Sequence, residues 1–165
     1  MIGINNALLQ YAETESELAS VLSHEIAHLS QRHFARKILR SKDTNLASAL
    51  VMASTIAIAL ISNNPNAIMA GPAILQTENL RYSRLFEREA DRVGFANLIN
   101  AGYNPRSMGE MFENMNNLRR LSGDAPPEFL LTHPLSSSRV NDAFNAAEGI
   151  SNEGTKSDSL ESVSY

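Results

Sequence analysis

His24-Glu25-Ile26-Ala27-His28 is the stretch from which this chain is best read. Its two histidines are four apart, so on an α-helix they project from one face, one turn above the other. That separation lets two imidazoles close on a single metal ion. Zinc suits imidazole nitrogen, and a catalytic zinc takes three protein ligands and leaves a fourth position open. Glu25, beside the first histidine, can reach a water at that position and take its proton as general base. The pattern has this meaning only on a helix and with a third ligand. The helix is well signalled. Thr14 and Glu17 form a capping box, and Glu13 and Glu15 add negative charge near the N-terminus. Leu18, Val21, Leu22, Ile26 and Leu29 recur at helical spacing. Arg32, His33, Arg36, Lys37 and Arg40 gather where a helix C-terminus favours cations. These signals predict one helix from about Glu15 to about Leu39. The alternative is an amphipathic helix with two surface histidines.

The chain has 165 residues, 43% hydrophobic and 19% charged, one domain's worth with enough apolar content for a core. A net charge of −4 gives no footprint for nucleic acid, and the basic run at 32–40 reads as a helix end. With no cysteine there is neither a disulfide framework nor a thiolate metal site, and the redox compartment stays open. Residues 1–13 lack the basic and apolar regions of a secretory signal. Ile2, Ile4 and Ala7-Leu8-Leu9 read as the end of a strand entering a turn.

Residues 46–62 contain no charged side chain. A helix of that length spans about 25 Å against about 30 Å of hydrocarbon, and Ser48, Ser54 and Thr55 dilute it. Asn63-Asn64-Pro65-Asn66 breaks the run, and a second apolar stretch, 67–75, holds Gly71-Pro72. The favoured expectation is a buried helical hairpin packed on the histidine helix. The alternative is a lid, or an element that touches a membrane or outer-membrane proteins through 46–75.

The second chemical cluster is Phe86-Glu87-Arg88-Glu89-Ala90-Asp91. Leu80, Leu85, Val93, Phe95, Leu98 and Ile99 make its flanks helical. Glu87 and Asp91 share a face, and two carboxylates so placed repel unless something positive lies beside them. A metal held by two histidines supplies that charge. Glu87 is then the third ligand, and Asp91 accepts a ligand histidine's N–H and fixes its tautomer. The competing reading is a solvated charged face balanced by Arg84, Arg88 and Arg92.

His24 to His28 followed by Glu87-Arg88-Glu89-Ala90-Asp91 resembles the gluzincin metallopeptidases of the HtpX and CAAX-prenyl-protease family. The likeness is closest to the soluble, periplasmic BepA/YfgC-like branch. It runs from about Ile2 to about Ala147, through Gln31-Arg32-His33, Ala101-Gly102-Tyr103-Asn104-Pro105 and Thr132-His133-Pro134-Leu135. The resemblance implies one zinc per chain, held by His24, His28 and Glu87, with Glu25 as base and Asp91 behind a ligand. It also implies that His133, in its His-Pro-Leu segment, lies close to the metal and can hold the enzyme latent. Arg139 either anchors that loop or stabilises a developing oxyanion. In the family much of a substrate-binding sheet precedes the zinc helix, where this chain has only about a dozen residues. The expected fold is therefore mainly α, a zincin-like core whose N-terminal sheet is reduced or truncated.

Gly102 closes the second motif's helix. Ser107 is expected to cap the next, whose Met108, Met111, Phe112, Met115 and Leu118 line one face. A methionine stripe is ordinarily soft core packing, the alternative being a substrate surface. Asp124-Ala125-Pro126-Pro127 is a loop, and 140–147 a short helix. The expected layout is a metallopeptidase domain over 1–148 and a disordered polar tail over 149–165. The expected activity is zinc-dependent hydrolysis of peptide bonds in misfolded or misassembled proteins of the cell envelope. Two alternatives stay open: a latent or non-catalytic metal-binding domain that binds clients through 46–75, and a membrane-anchored helical protein.

Overall fold

The computed structural model describes residues 11–122 and 133–156, with the backbone alone for 42–44. Among the described residues five α-helices follow in order: α1 Glu15–Ser30, α2 His33–Ser62, α3 Ala70–Asn100, α4 Ser107–Leu121 and α5 Ser137–Ala147. A 3-10 turn, Pro65–Met69, joins α2 to α3. No strand occurs among the described residues, as a mainly α fold requires. The expected strand at Ile2–Leu9 and the loop at 124–127 lie outside them. The chain divides into two compact units, residues 1–31 with 87–165, and residues 32–86.

In the first unit, α1 begins as its sequence dictates. The Thr14 hydroxyl accepts from Glu17 N–H at 3.1 Å, and the Glu17 carboxylate accepts from Glu13 N–H at 2.8 Å, one residue before the cap. The helix stops at Ser30, not near Leu39. Arg32 takes a left-handed conformation, φ 54° and ψ 38°, and starts a new helix at His33. No glycine or proline marks the break, and a single left-handed residue costs only about 1–2 kcal/mol.

The buried face of α1 is Ser16, Glu17, Ser20, Ser23, His24 and Ala27, while Ile26 and Leu29 are exposed. Small and polar residues, not the large apolar ones, line the closest contacts. The Ser107 hydroxyl donates to Ser16 C=O at 3.0 Å and to Asn104 C=O at 2.7 Å. It therefore ties α4 to α1 and does not cap α4, whose N-cap is Arg106. The core of the unit is Leu98, Met108, Met111, Phe112, Met115, Leu135 and Ala143, with Leu18, Val21, Phe95 and Val140 against it. The methionine stripe is core. Helix α3 ends in a Schellman turn, with Gly102 at φ 81°, Tyr103 N–H donating to Leu98 C=O and Gly102 N–H to Ile99 C=O. Residues 149–156 form turns, and Lys156 N–H donates to Gly102 C=O at 2.8 Å. The rest of the expected tail, 157–165, is outside the described residues.

Glu17 is 3% exposed, and burial pushes its carboxyl up against the pull of the Glu13 N–H. A raised carboxyl favours the protonated form, so its contribution is complete below the ordinary value of 4.5 and lost as pH rises. Glu17→Gln keeps an acceptor for Glu13 N–H and carries no charge. It is expected to match the wild type near pH 4 and to exceed its stability at pH 7 by up to about 1 kcal/mol in thermal unfolding. A less stable variant at pH 7 would show that charge at the helix N-terminus outweighs its burial.

In the second unit, α2 runs unbroken through the basic segment and the apolar one, and ends at Asn63, φ 50°. The expected burial of 46–62 is not found. Leu46, Leu50, Ile56, Ile58, Leu60 and Ile61 are exposed, and only 11% of the window Asn45–Ser62 is buried. What packs instead is its small-residue face. Thr55 and Ala59 are buried, and a Cβ on Gly71 would stand 2.8 Å from Met52 Sδ and 3.0 Å from Thr55 Oγ1. By length and composition this helix could cross a membrane, with a mean hydropathy of 1.9 over the window. His33 stacks on Phe86 at 4.7 Å, with the Arg36 guanidinium also over that ring.

Candidate metal centre

Helix α1 presents His24 and His28 one turn apart, with their Nε2 atoms 3.0 Å from each other. Helix α3 brings Glu87 onto the same point. Its Oε2 lies 3.4 Å from His24 Nε2, and its Oε1 3.4 Å from His28 Nε2. These three separations approach the edge of a tetrahedron with metal–ligand bonds of about 2.0–2.1 Å, roughly 3.3 Å. His133 completes a group of four whose donor atoms all lie within 4.8 Å of one another. Two imidazoles, a carboxylate and a third imidazole form a donor set that fits zinc.

Glu25 stands beside this group, about one-third exposed, with its Oε1 3.4 Å from His133 Nε2. The other ring nitrogen, His133 Nδ1, is 3.2 Å from Glu87 Oε2. The His-Pro-Leu segment thus lays one imidazole across both carboxylates. The sequence-predicted residues His24, Glu25, His28, Glu87 and His133 converge, and Asp91 and Arg139 lie directly behind them.

Asp91 Oδ1 is 2.9 Å from His24 Nδ1. Arg139, 5% exposed, grips both Asp91 oxygens through Nε and Nη2 at 2.7 Å each. Its Nη1 is 3.0 Å from Glu87 Oε2 and donates to Pro134 C=O at 2.9 Å. One guanidinium therefore joins α5, the two α3 carboxylates and the backbone next to His133. It is presented by α5, whose start is fixed by Ser136 accepting from Arg139 N–H. Proximity to Pro134 was legible in the sequence, six residues apart from His133. The pairing with Asp91 was not, since nothing local marks a contact across 48 residues.

Charge at the centre is unusually polarised. Burial alone would push the Glu87 carboxyl up, but His133, His24 and the Arg139 charge outweigh it and hold the group well below the carboxylate range. Asp91 is likewise raised by burial and lowered further by His24 and Arg139. Burial disfavours a charged His24, yet the bonds and charges of Asp91 and Glu87 bring it up to about 9. A metal-free centre thus holds a proton near neutral pH, where a cation would relieve the same two carboxylates.

One further residue, part of the segment that carries the resemblance, was given no role by the sequence reading. Gly94 is seven residues after Glu87 and three after Asp91, on the same face of α3. A Cβ there would stand 3.0 Å from His24 Cα and N and 3.1 Å from Ser23 C. Its bare backbone is what lets α3 lie directly against α1 at the first histidine.

Such a cluster, borne on two helices and backed by buried carboxylates, has the donor set of a helix-built metal centre. The comparisons with known proteins agree. A profile of Peptidase family M48 matches residues 1–147, and the chain belongs to that family. The "Beta-barrel assembly-enhancing protease" of Yersinia pestis is 38% identical over 148 residues, 87% of this chain and 30% of that protein. That of Escherichia coli K12 is 37% identical over 149 residues, with the same shares. The "Mitochondrial metalloendopeptidase OMA1" of Arabidopsis thaliana is 31% identical over 138 residues, 84% of this chain and 26% of that protein. The chain spans under one-third of the length of these relatives.

Proposed function

We propose that this chain is the catalytic part of a zinc metalloendopeptidase, with His24, His28 and Glu87 as ligands and Glu25 as general base. The observation that carries the reading is the convergence of three donor groups at tetrahedral separations with Glu25 at their side. Zinc held there would supply Lewis acidity toward a scissile carbonyl and toward water. Glu25 takes the proton of the attacking water as its oxygen bonds to the carbonyl carbon. It then delivers that proton to the amide nitrogen as the C–N bond breaks, leaving an acid and an amine. Asp91 holds the His24 ring in one orientation, and Arg139 holds Asp91. Its guanidinium is occupied by two carboxylates and a backbone carbonyl, which favours an anchoring role over oxyanion binding.

The relatives' names motivate the substrate proposal: proteins that fail during β-barrel assembly, met in the cell envelope. The first test is metal content. The wild-type chain is expected to hold about one zinc, and Glu87→Ala to lose it or bind at least about tenfold more weakly. A wild type that takes up no zinc on reconstitution would overturn the ligand assignment.

His133 favours a second, compatible reading, that of a latent enzyme. Its ring touches Glu25 and Glu87, where a substrate carbonyl would have to enter. His133→Ala is expected to raise peptide hydrolysis at least about tenfold, because an occupied site lowers the competent fraction. Zinc content should stay near one per chain. Equal activity in both proteins would remove the latency reading, and no activity in either would favour a binding domain.

A further inference from the structure

Behind the metal centre, a groove of about 280 Å³ opens between α3 and α5, in the first unit. Each helix lends it one face at helical spacing: Arg88, Asp91, Arg92 and Phe95 from α3, and Arg139, Asp142, Ala143 and Ala146 from α5. Met108 of α4 also lines it. Arg139 and Asp91 are spent on each other and on the centre. Arg88 and Arg92 are different. Both are exposed, and neither has an ion-pair or hydrogen-bond partner among the described residues. Asp142 also stands without one. The free charges therefore sum to +1 around an apolar surface of Phe95, Met108, Ala143 and Ala146.

We propose that this groove binds a small, free monoanionic amphiphile, a medium-chain carboxylate, with its head group on Arg88 and Arg92 and its apolar body along Phe95, Met108 and Ala146. A monoanion balances the local charge, and a guanidinium offers the planar fork that a carboxylate matches. Clefts between helices with an apolar lining and a few polar groups are typical ligand sites. The volume lies just below their usual range of about 300–1,000 Å³, which suits a chain of about eight carbons better than a long lipid. The proposal stands apart from the zinc reading, because none of the groups it uses is a proposed ligand.

The test is an amide NMR titration of the full chain with octanoate, in zinc-loaded and in metal-free protein. Saturable shifts at Phe95, Ala143 and Ala146 are expected in both, with a Kd on the order of 1 mM for a ligand of this size. Arg88→Gln and Arg92→Gln, exposed positions that leave the fold intact, should each weaken binding about tenfold. Neutral octanol should bind more weakly than octanoate by a similar factor. Shifts that require zinc would mean the carboxylate sits on the metal and would overturn the proposal. Shifts confined to the exposed apolar helix at 45–62, unchanged binding in both arginine variants, or no saturation would do the same.

Discussion

Glu25→Gln leaves the zinc site filled and lowers peptide hydrolysis by on the order of 10²–10⁴-fold. That is the range lost with a positioned general base. The amide has the shape of the carboxylate but takes no proton from water. Glu25 is about one-third exposed and, among the described residues, its carboxylate pairs with His133, so the substitution has little to disturb in the fold. The comparison is best made in a His133→Ala background, where latency does not mask turnover. Metal content by atomic spectroscopy and turnover of a fluorogenic peptide, measured on the same sample, separate chemistry from zinc loss. A variant that keeps its zinc and loses less than tenfold would show that another group takes the proton.

Gly94→Ala lowers zinc affinity by about 10–100-fold, the scale seen when support behind metal ligands is removed. The added Cβ meets backbone atoms of Ser23 and His24 at 3.0–3.1 Å, and backbone cannot swing aside as a flexible side chain can. Helix α3 must retreat by a few tenths of an ångström, and Glu87 and Asp91 travel with it while His24 and His28 remain on α1. Overpacking of this kind costs about 1–3 kcal/mol, of which the better helix propensity of alanine returns about 1. The control is Gly109→Ala. Its Cβ would come 2.8 Å from the Phe144 ring, a flexible side chain that is not a proposed ligand. That variant should lose stability with zinc affinity unchanged. The readouts are zinc competition titration and thermal unfolding in chelator. Equal zinc affinity in Gly94→Ala and wild type would show that the close approach does not position the centre.

Much of the centre was legible before folding because helical geometry is local. Four residues bring two side chains onto one face, so His24 with His28 and Glu87 with Asp91 could be paired from spacing alone. The cap at Thr14 and the Gly102 turn obey equally local rules. The assignment of His133 to the centre came from resemblance, and its contacts with Glu25 and Glu87 link residues 108 and 46 apart, beyond any local pattern.

The sequence by itself therefore determined a mainly helical chain, the capped start at Thr14 and the two pairs of side chains proposed to build a metal centre, since all of these depend on neighbours within about one turn. Only the structure shows the break at Arg32, a left-handed residue that no glycine or proline marks in the sequence. It decided that α1 buries Ser16, Ser20, Ser23 and Ala27 while Ile26 and Leu29 face outward, because close helix contact selects for small residues and hydrophobic periodicity does not register them. It left the apolar segment 46–62 exposed where burial was expected. It joined Arg139 to Asp91 and Glu87, because a buried carboxylate pair needs a cation from whatever element lies nearest in space, and only the fold settles which element that is.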